Sequence, residues 1–274
     1  MKFLKLILIC FFVTTHVFAD ISPKEKEALV ALYNSTHGDY WNVSWDIKEP
    51  VSKWHGVIIE NNKVVEINLE FNNLEGELPN ELSNLIYLER INLGFNKLVG
   101  ELPSSLQSLT ELRYLELFMN SFEGPIPSEY GKLKNLESLK LYSNKLTGEI
   151  PVSLMELTEL RELLLGSNYL TGTIPNGISA LKNLEKLSLM DNKLQGEIPS
   201  EIAQLSNLEE LLLSTNQLTG YLPQEFVMLT KLTTLMVSDN NLSSEYITVS
   251  GESTLPIGNV NLETAAATMD IEKE

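Results

Sequence analysis

Leucine and other apolar residues occupy the same positions in every 24-residue interval through the middle of the chain. The frame is L-x-x-L-x-L-x-x-N-x-L-x-G-x-[IL]-P, and its asparagine recurs eight times, at Asn72, Asn96, Asn120, Asn144, Asn168, Asn192, Asn216 and Asn240. The L-x-L stretch has the period of two that places alternate side chains on opposite faces of a strand. Leu139 and Leu141 are therefore predicted to point inward, and each interval predicts one short strand.

The residues after each strand predict a tight turn and an extended return. A glycine stands four residues after seven of the asparagines, where a close turn or a positive φ excludes a Cβ, as at Gly148. A proline stands three residues later, as at Pro151, and fixes φ without supplying an N–H. The asparagine amide, buried inside the turn, is predicted to bond backbone groups of the turn and of the next coil, since unpaired groups there cost roughly 1–3 kcal/mol each.

A single interval is too short to bury its own leucines, so the intervals must stack, and each coil then covers the apolar edge of its neighbour. The predicted fold is an α/β solenoid in the form of a curved right-handed superhelix. Its concave face carries a parallel β-sheet, and its convex face is mostly extended chain and 3-10 turns.

The pattern divides the chain into four segments. Residues 1–19 have Lys2 and Lys5, then an apolar run and a small residue at Ala19, which is typical of a cleaved signal peptide. Residues 20–63 are predicted to form a helical, tryptophan-rich cap that opens with a capping box at Ser22. Residues 64–247 form the array of eight repeats, and residues 248–274 are a loosely ordered acidic tail. Secretion or export to the cell surface is predicted, with cleavage near Ala19 and no membrane span.

Charge and composition exclude several functions. The formal net charge of −17 becomes −19 when residues 1–19 and their two lysines are removed, and such a chain repels nucleic acid. Its only cysteine, Cys10, lies in the predicted signal peptide, and only His37 and His55 would remain as histidines. Cysteine–histidine catalysis and zinc binding are therefore not expected, and we predict neither an enzyme nor a cofactor or metal.

The repeats resemble the plant-type leucine-rich repeats of polygalacturonase-inhibiting proteins and plant receptor-kinase ectodomains. The resemblance covers nearly all of residues 22–245, and its most specific motif is N-x-L-x-G-x-I-P at 168–175. Further similarity lies in the cap, at 32–41 and in W-H-G-V at 54–57.

The chain departs from this family at Ser52 and Ile59, where the family usually carries cysteines, so the cap is expected to be held by packing alone. No kinase sequence follows the repeats, so a signalling role is not implied. The resemblance implies extracellular recognition of a secreted or cell-surface protein. An inhibitor of a cell-wall-degrading hydrolase and a surface adhesin or structural component remain as alternatives, and a glycan or cell-wall polymer remains as an alternative partner.

Outward-pointing strand residues predict where a partner binds. Large apolar side chains form a diagonal band across these positions, with charged neighbours, which is the composition of interface centres. The predicted partner-binding residues are Tyr114, Glu116, Phe118, Lys140, Tyr142, Leu164, Met190, Leu212 and Met236. Three N-x-S/T sequons would also carry glycans in a host that glycosylates exported proteins, at Asn34, Asn42 and Asn241.

Overall fold

The computed structural model describes residues 21–243 and the strand Asn261–Glu263. The predicted signal peptide and the rest of the predicted tail lie outside the described residues. The chain begins with helix α1 (Pro23–Ser35) and continues with strands β1 (Val57–Glu60), β2 (Lys63–Asn68), β3 (Glu75–Glu77), β4 (Arg90–Asn92), β5 (Lys97–Val99), β6 (Tyr114–Glu116), β7 (Glu123–Pro125), β8 (Ser138–Lys140), β9 (Lys145–Thr147), β10 (Glu162–Leu164), β11 (Lys186–Ser188), β12 (Gln195–Glu197), β13 (Glu210–Leu212), β14 (Gln217–Thr219), β15 (Thr234–Met236) and β16 (Asn261–Glu263).

Short 3-10 helices lie between the strands. They are η1 (Gly38–Tyr40), η2 (Val51–Lys53), η3 (Asn80–Asn84), η4 (Ser104–Ser108), η5 (Ser128–Lys132), η6 (Val152–Glu156), η7 (Asn176–Ala180), η8 (Ser200–Gln204) and η9 (Gln224–Met228). From η3 to η9, each begins directly after the proline of its repeat, with that proline as the extended residue before it. The predicted 3-10 turns of the convex side are confirmed.

The main sheet has ten strands in the order β1-β2-β4-β6-β8-β10-β11-β13-β15-β16. Strand β1 pairs antiparallel with β2, and the other nine run parallel. Equivalent residues of successive repeats are in register, so that Ser138 lies between Tyr114 and Glu162. The predicted solenoid with its parallel sheet is confirmed, and each outward position of the frame becomes a straight row across the strands.

The inward leucines form one continuous core. Leu139, Leu141 and Leu165 have no exposed surface, and Leu163 has 1%. Full burial of one such side chain contributes about 1.5–3 kcal/mol. The core of each coil is therefore complete without any side chain from the outer face of the sheet.

The asparagine ladder joins each coil to the one before it, which corrects the predicted bond to the next coil. Asn144 is 8% exposed, and its Oδ1 accepts the Phe122 N–H at 3.0 Å. Its Nδ2 donates to the Leu117 carbonyl at 3.1 Å and to the Leu141 carbonyl at 3.0 Å. The direction follows from the turn, which brings the amide beneath the preceding coil.

A second, smaller set of parallel pairs runs along the turns after the asparagines. Strand β3 pairs with β5, β7 with β9, and β12 with β14. The repeat glycine lies within or beside these strands at positive φ, as for Gly148 at 77°, which confirms the predicted turn conformation. The sequence pattern does not predict the pairs themselves, because their segments are only three residues long and mostly polar.

The cap closes the first coil. Ser22 and Glu25 form a reciprocal capping box at the start of α1, and Glu25 Oε1 also accepts the Val64 N–H of strand β2 at 3.0 Å. The rings of Trp45 and Trp54 stack at 4.8 Å, and both are buried. A helix and aromatic rings therefore cover the apolar edge of the first coil.

At the other end, Asn261–Glu263 pairs in parallel with Thr234–Met236. These three residues fall in the predicted loose tail. Here the chain instead adds a strand to the sheet, because the open edge of β15 offers unpaired backbone groups.

Candidate functional site

The concave face is built from the outward residues of strands β4 to β15. One row across the sheet holds Asn92, Glu116, Lys140, Leu164, Ser188, Leu212 and Met236 in register. Five of the predicted partner-binding residues lie in this row, so the structure brings them together. Tyr114 lies in the row on one side of it, and Phe118, Tyr142 and Met190 come two residues after it along the chain.

A ladder of alternating charges crosses this face from β4 to β13. Its members are Arg90, Glu116, Lys140, Glu162, Lys186 and Glu210, joined by contacts of 3.0, 2.9, 3.0, 3.6 and 3.7 Å in that order. The charged groups of Glu116 and Lys140 are therefore already paired within the chain.

These pairs shift the pKa values of Glu162 and Lys140. Burial alone raises the pKa of Glu162, but hydrogen bonds from Lys140 and Ser138 outweigh it and hold that pKa below its usual value. Burial lowers the pKa of Lys140, but hydrogen bonds to Glu116 and Glu162 more than offset this and raise it. Both groups are therefore charged at neutral pH, and the ladder stiffens this part of the surface.

Two predicted open side chains are buried, which corrects the prediction for Glu116 and Phe118. Glu116 is 6% exposed because Arg90 and Lys140 close over it. Phe118 is 7% exposed because its ring lies flat over Gly94, where an added Cβ would come within 2.5 Å of it. Tyr142 stacks on the other side of that ring, with centroids 4.8 Å apart.

The remaining predicted residues are half-buried on the concave face. Tyr114 is held from both sides, since the Arg90 guanidinium lies 3.7 Å from its ring centre and its hydroxyl donates to Glu137 Oε2 at 3.0 Å. In the C-terminal half, four of the predicted residues are apolar and lie beside the charged Lys186 and Glu210, at Leu164, Met190, Leu212 and Met236.

Sequence reasoning missed a second group of apolar residues, on the rim of the sheet. Phe71, Phe95 and Met119 stand directly before the ladder asparagines and are 73%, 43% and 39% exposed. They line a pocket of about 280 Å³ together with Asn42, Asn73, Asn96 and Lys97. The signal was present in the aligned repeats, where this position changes from apolar to small and polar after the third coil.

The three sequon asparagines Asn34, Asn42 and Asn241 are exposed, so glycosylation stays a prediction at each. Asn42 also donates from Nδ2 to the Phe71 carbonyl at 3.0 Å. Among residues 21–243, no helix is long and apolar enough to cross a membrane. The same part of the chain holds no group of three metal-ligating side chains.

Sequence comparison finds three leucine-rich repeat models along the array. A leucine-rich repeat region matches residues 104–196, and two further leucine-rich repeat models match residues 182–242 and residues 63–85 and 87–109. No curated protein matches the chain.

Solved structures similar to the chain include plant receptor ectodomains. The PEPR1–AtPEP1 structure is 34% identical with a TM-score of 0.72, over 80% of this chain and 32% of that one. The Arabidopsis receptor kinase HAESA, with the peptide hormone IDA and the co-receptor SERK1, is 29% identical with a TM-score of 0.53, over 81% and 46%. A plant ice-binding protein is 25% identical with a TM-score of 0.65, over 81% and 88%. The chain thus spans about a third of PEPR1 and less than half of HAESA.

Proposed function

The chain belongs to the leucine-rich repeat family, and on this premise we propose that it is a secreted, non-enzymatic protein that binds a protein or peptide on its concave face. The observation that carries the proposal is the apolar group in the C-terminal half of that face. Leu164, Met190, Leu212 and Met236 are half-buried there, although the core is already complete beneath them. Apolar and methionine side chains in a shallow, open surface are typical of interface centres.

The partner-binding residues have two roles in this proposal. Glu116 and Phe118 are buried supports, because they contact Lys140 and Tyr142 from the preceding coil. The open side chains of Tyr114, Lys140 and Tyr142 and the apolar group would contact the partner. These contacts matter because side chains that are fixed before binding lose less conformational entropy when the partner binds.

The similar structures support the class of partner. HAESA is solved with a peptide hormone and a co-receptor, on the same architecture. Secretion rests on the pattern of residues 1–19 and on the likeness to ectodomains. Amino-terminal sequencing of the exported protein tests it, because cleavage after Ala19 would give a chain that starts at Asp20.

Capture from the native extracellular fluid tests the binding function. The double variant Leu164→Ser/Leu212→Ser removes apolar surface from the concave face, and Val152→Ser/Met228→Ser removes it from exposed positions on the convex turns. We expect mass spectrometry to find a protein that the wild type and the convex variant retain and the concave variant loses. Equal retention by both variants, with unchanged circular dichroism, would contradict the proposed face.

A further inference from the structure

The residue before each ladder asparagine has a left-handed backbone in all eight coils, with φ between 51° and 59°. In five coils this residue is small and polar, at Ser143, Ser167, Asp191, Thr215 and Asp239. In the first three it is Phe71, Phe95 and Met119, although large side chains are disfavoured in this conformation. The fold therefore does not require these apolar side chains.

The backbone at these positions is held by the sheet, whatever the side chain. The Phe71 N–H donates to the Gly94 carbonyl at 3.0 Å, and the Phe95 N–H donates to the Phe118 carbonyl at 3.0 Å. Ser143 makes the equivalent bond to the Gly166 carbonyl at 2.9 Å. Replacing either phenylalanine by serine thus copies a residue that the same turn already accepts.

Two hydrogen-bonded asparagines form one wall of the pocket beside these side chains. Asn42 Nδ2 donates to the Phe71 carbonyl, and Asn73 Nδ2 donates to the Tyr40 carbonyl at 2.8 Å. Both amides are bonded to backbone atoms, which orients this wall of the pocket. Its volume of about 280 Å³ lies below the roughly 300–1,000 Å³ of sites for whole small molecules. It therefore suits one large side chain better than a cofactor.

A chain of ring contacts links this rim pocket to the concave face. Phe95 meets Phe71 edge-on at 6.2 Å and Phe118 edge-on at 5.7 Å, and Phe118 stacks on Tyr142. An occupant of the pocket and a partner on the concave face would therefore contact the two ends of one chain of packed rings, with Phe118 buried between them.

A carboxylate on the concave side of Phe71 indicates which residue type would flank the anchoring side chain on that side, away from Lys97 in the pocket wall. The exposed Glu70, next to Phe71 on the concave side, accepts the Asn92 Nδ2 at 2.9 Å. Within residues 21–243, no cation lies close enough to form an ion pair with it. A positive group would compensate this carboxylate.

We infer that the rim pocket formed by Phe71, Phe95 and Met119 binds one large apolar side chain of a peptide segment, next to a lysine or arginine that pairs with Glu70. This inference rests on the proposed function, because it assigns the anchoring point of a partner that runs onto the concave face. The first three coils then provide the anchor, and the later coils provide the extended contact.

A displayed library of random dodecapeptides, selected on the full chain, tests the inference. We expect enriched peptides to share a leucine, phenylalanine or tryptophan beside a basic residue. In synthetic form, they should bind Phe71→Ser/Phe95→Ser at least tenfold more weakly than the wild type. They should also bind Glu70→Gln more weakly, whereas analogues with the basic residue replaced by alanine should bind Glu70→Gln and the wild type equally. The control Val152→Ser, also a large exposed side chain, should bind as the wild type does.

Other results overturn the inference. Enriched peptides that lose affinity for Leu164→Ser/Leu212→Ser but not for the rim variant would reject the pocket and leave the concave-face function standing. A library that yields no enriched peptide on the folded protein would also reject it, while the capture experiment decides the concave-face function separately. A dimer in sedimentation velocity that becomes a monomer in the rim variant would assign the pocket to a second copy instead.

Discussion

The substitution Asn144→Ala isolates the contribution of one member of the asparagine ladder. It removes an acceptor for the Phe122 N–H and a donor to two leucine carbonyls. It also removes a longer bond of 3.4 Å to the Tyr142 carbonyl, which keeps the Met119 N–H at 2.9 Å. Each carbonyl keeps a second amide, since the Leu117 carbonyl also accepts from Asn120 and the Leu141 carbonyl from Asn168. The Phe122 N–H has no second acceptor in the described part of the chain, and the residue is fully buried.

The expected cost follows from this asymmetry. An orphaned buried N–H costs about 1–3 kcal/mol, and the two lost carbonyl bonds add roughly 0.5 kcal/mol each, the lower end for a net hydrogen bond. We therefore expect Asn144→Ala to lower the free energy of unfolding by about 2–4 kcal/mol. Asn135→Ala is the matched control, because its exposed amide makes a single bond to the Thr110 carbonyl at 2.9 Å. That control should lower the free energy of unfolding by less than about 1 kcal/mol.

Urea unfolding measures both changes. Circular dichroism follows the sheet, and tryptophan fluorescence follows the cap, where all three tryptophans lie. Because coils contact only their neighbours, the array can open near the substitution before the cap does. If Asn144→Ala proves no more destabilising than Asn135→Ala, the buried ladder is not what ties the coils together.

Three further substitutions test other contacts. In Lys140→Met, Glu162 loses a partner that holds its pKa below the usual 4.5. The wild type gains stability from this shift above that pH and loses it as the pH falls through the lower folded pKa, so this pH-dependent part of the stability should shrink in the variant. Acid titrations followed by circular dichroism measure it, and an unchanged acid limb would contradict the prediction. Gly94→Ala should displace the Phe118 ring and change the near-ultraviolet circular dichroism, and an unaltered spectrum would argue against that packing. Tyr130→Phe removes a buried hydroxyl that donates to a carbonyl at 3.2 Å and should lower stability by about 1 kcal/mol in thermal unfolding, whereas a neutral result would mean that the bond has no net value.

The fold was predictable because one 24-residue frame is repeated, so each position is constrained many times. The period of two in L-x-L and the glycine and proline after it fix the strand, the turn and the 3-10 segment. The strands of the second, turn-side ladder were missed because they depend on pairing between coils rather than on any local pattern.

The candidate site was only partly predictable, because exposure depends on neighbouring strands. The outward direction of Phe118 follows from its position, but its burial depends on Gly94 in the preceding coil and Tyr142 in the next. Glu116 is covered in the same way by charges on both sides. The rim residues lie outside the outward strand positions from which the partner site was predicted, so the pattern did not single them out.

The repeated bonding of the ladder has a consequence for length. The side chains of Asn144 and Asn168 each bond one backbone N–H and one leucine carbonyl of the preceding coil, at equivalent positions. A whole additional unit placed between them would find its hydrogen-bonding partners already in place on either side. The sheet of such a protein can therefore be extended or shortened in steps of 24 residues, with the two ends left unchanged.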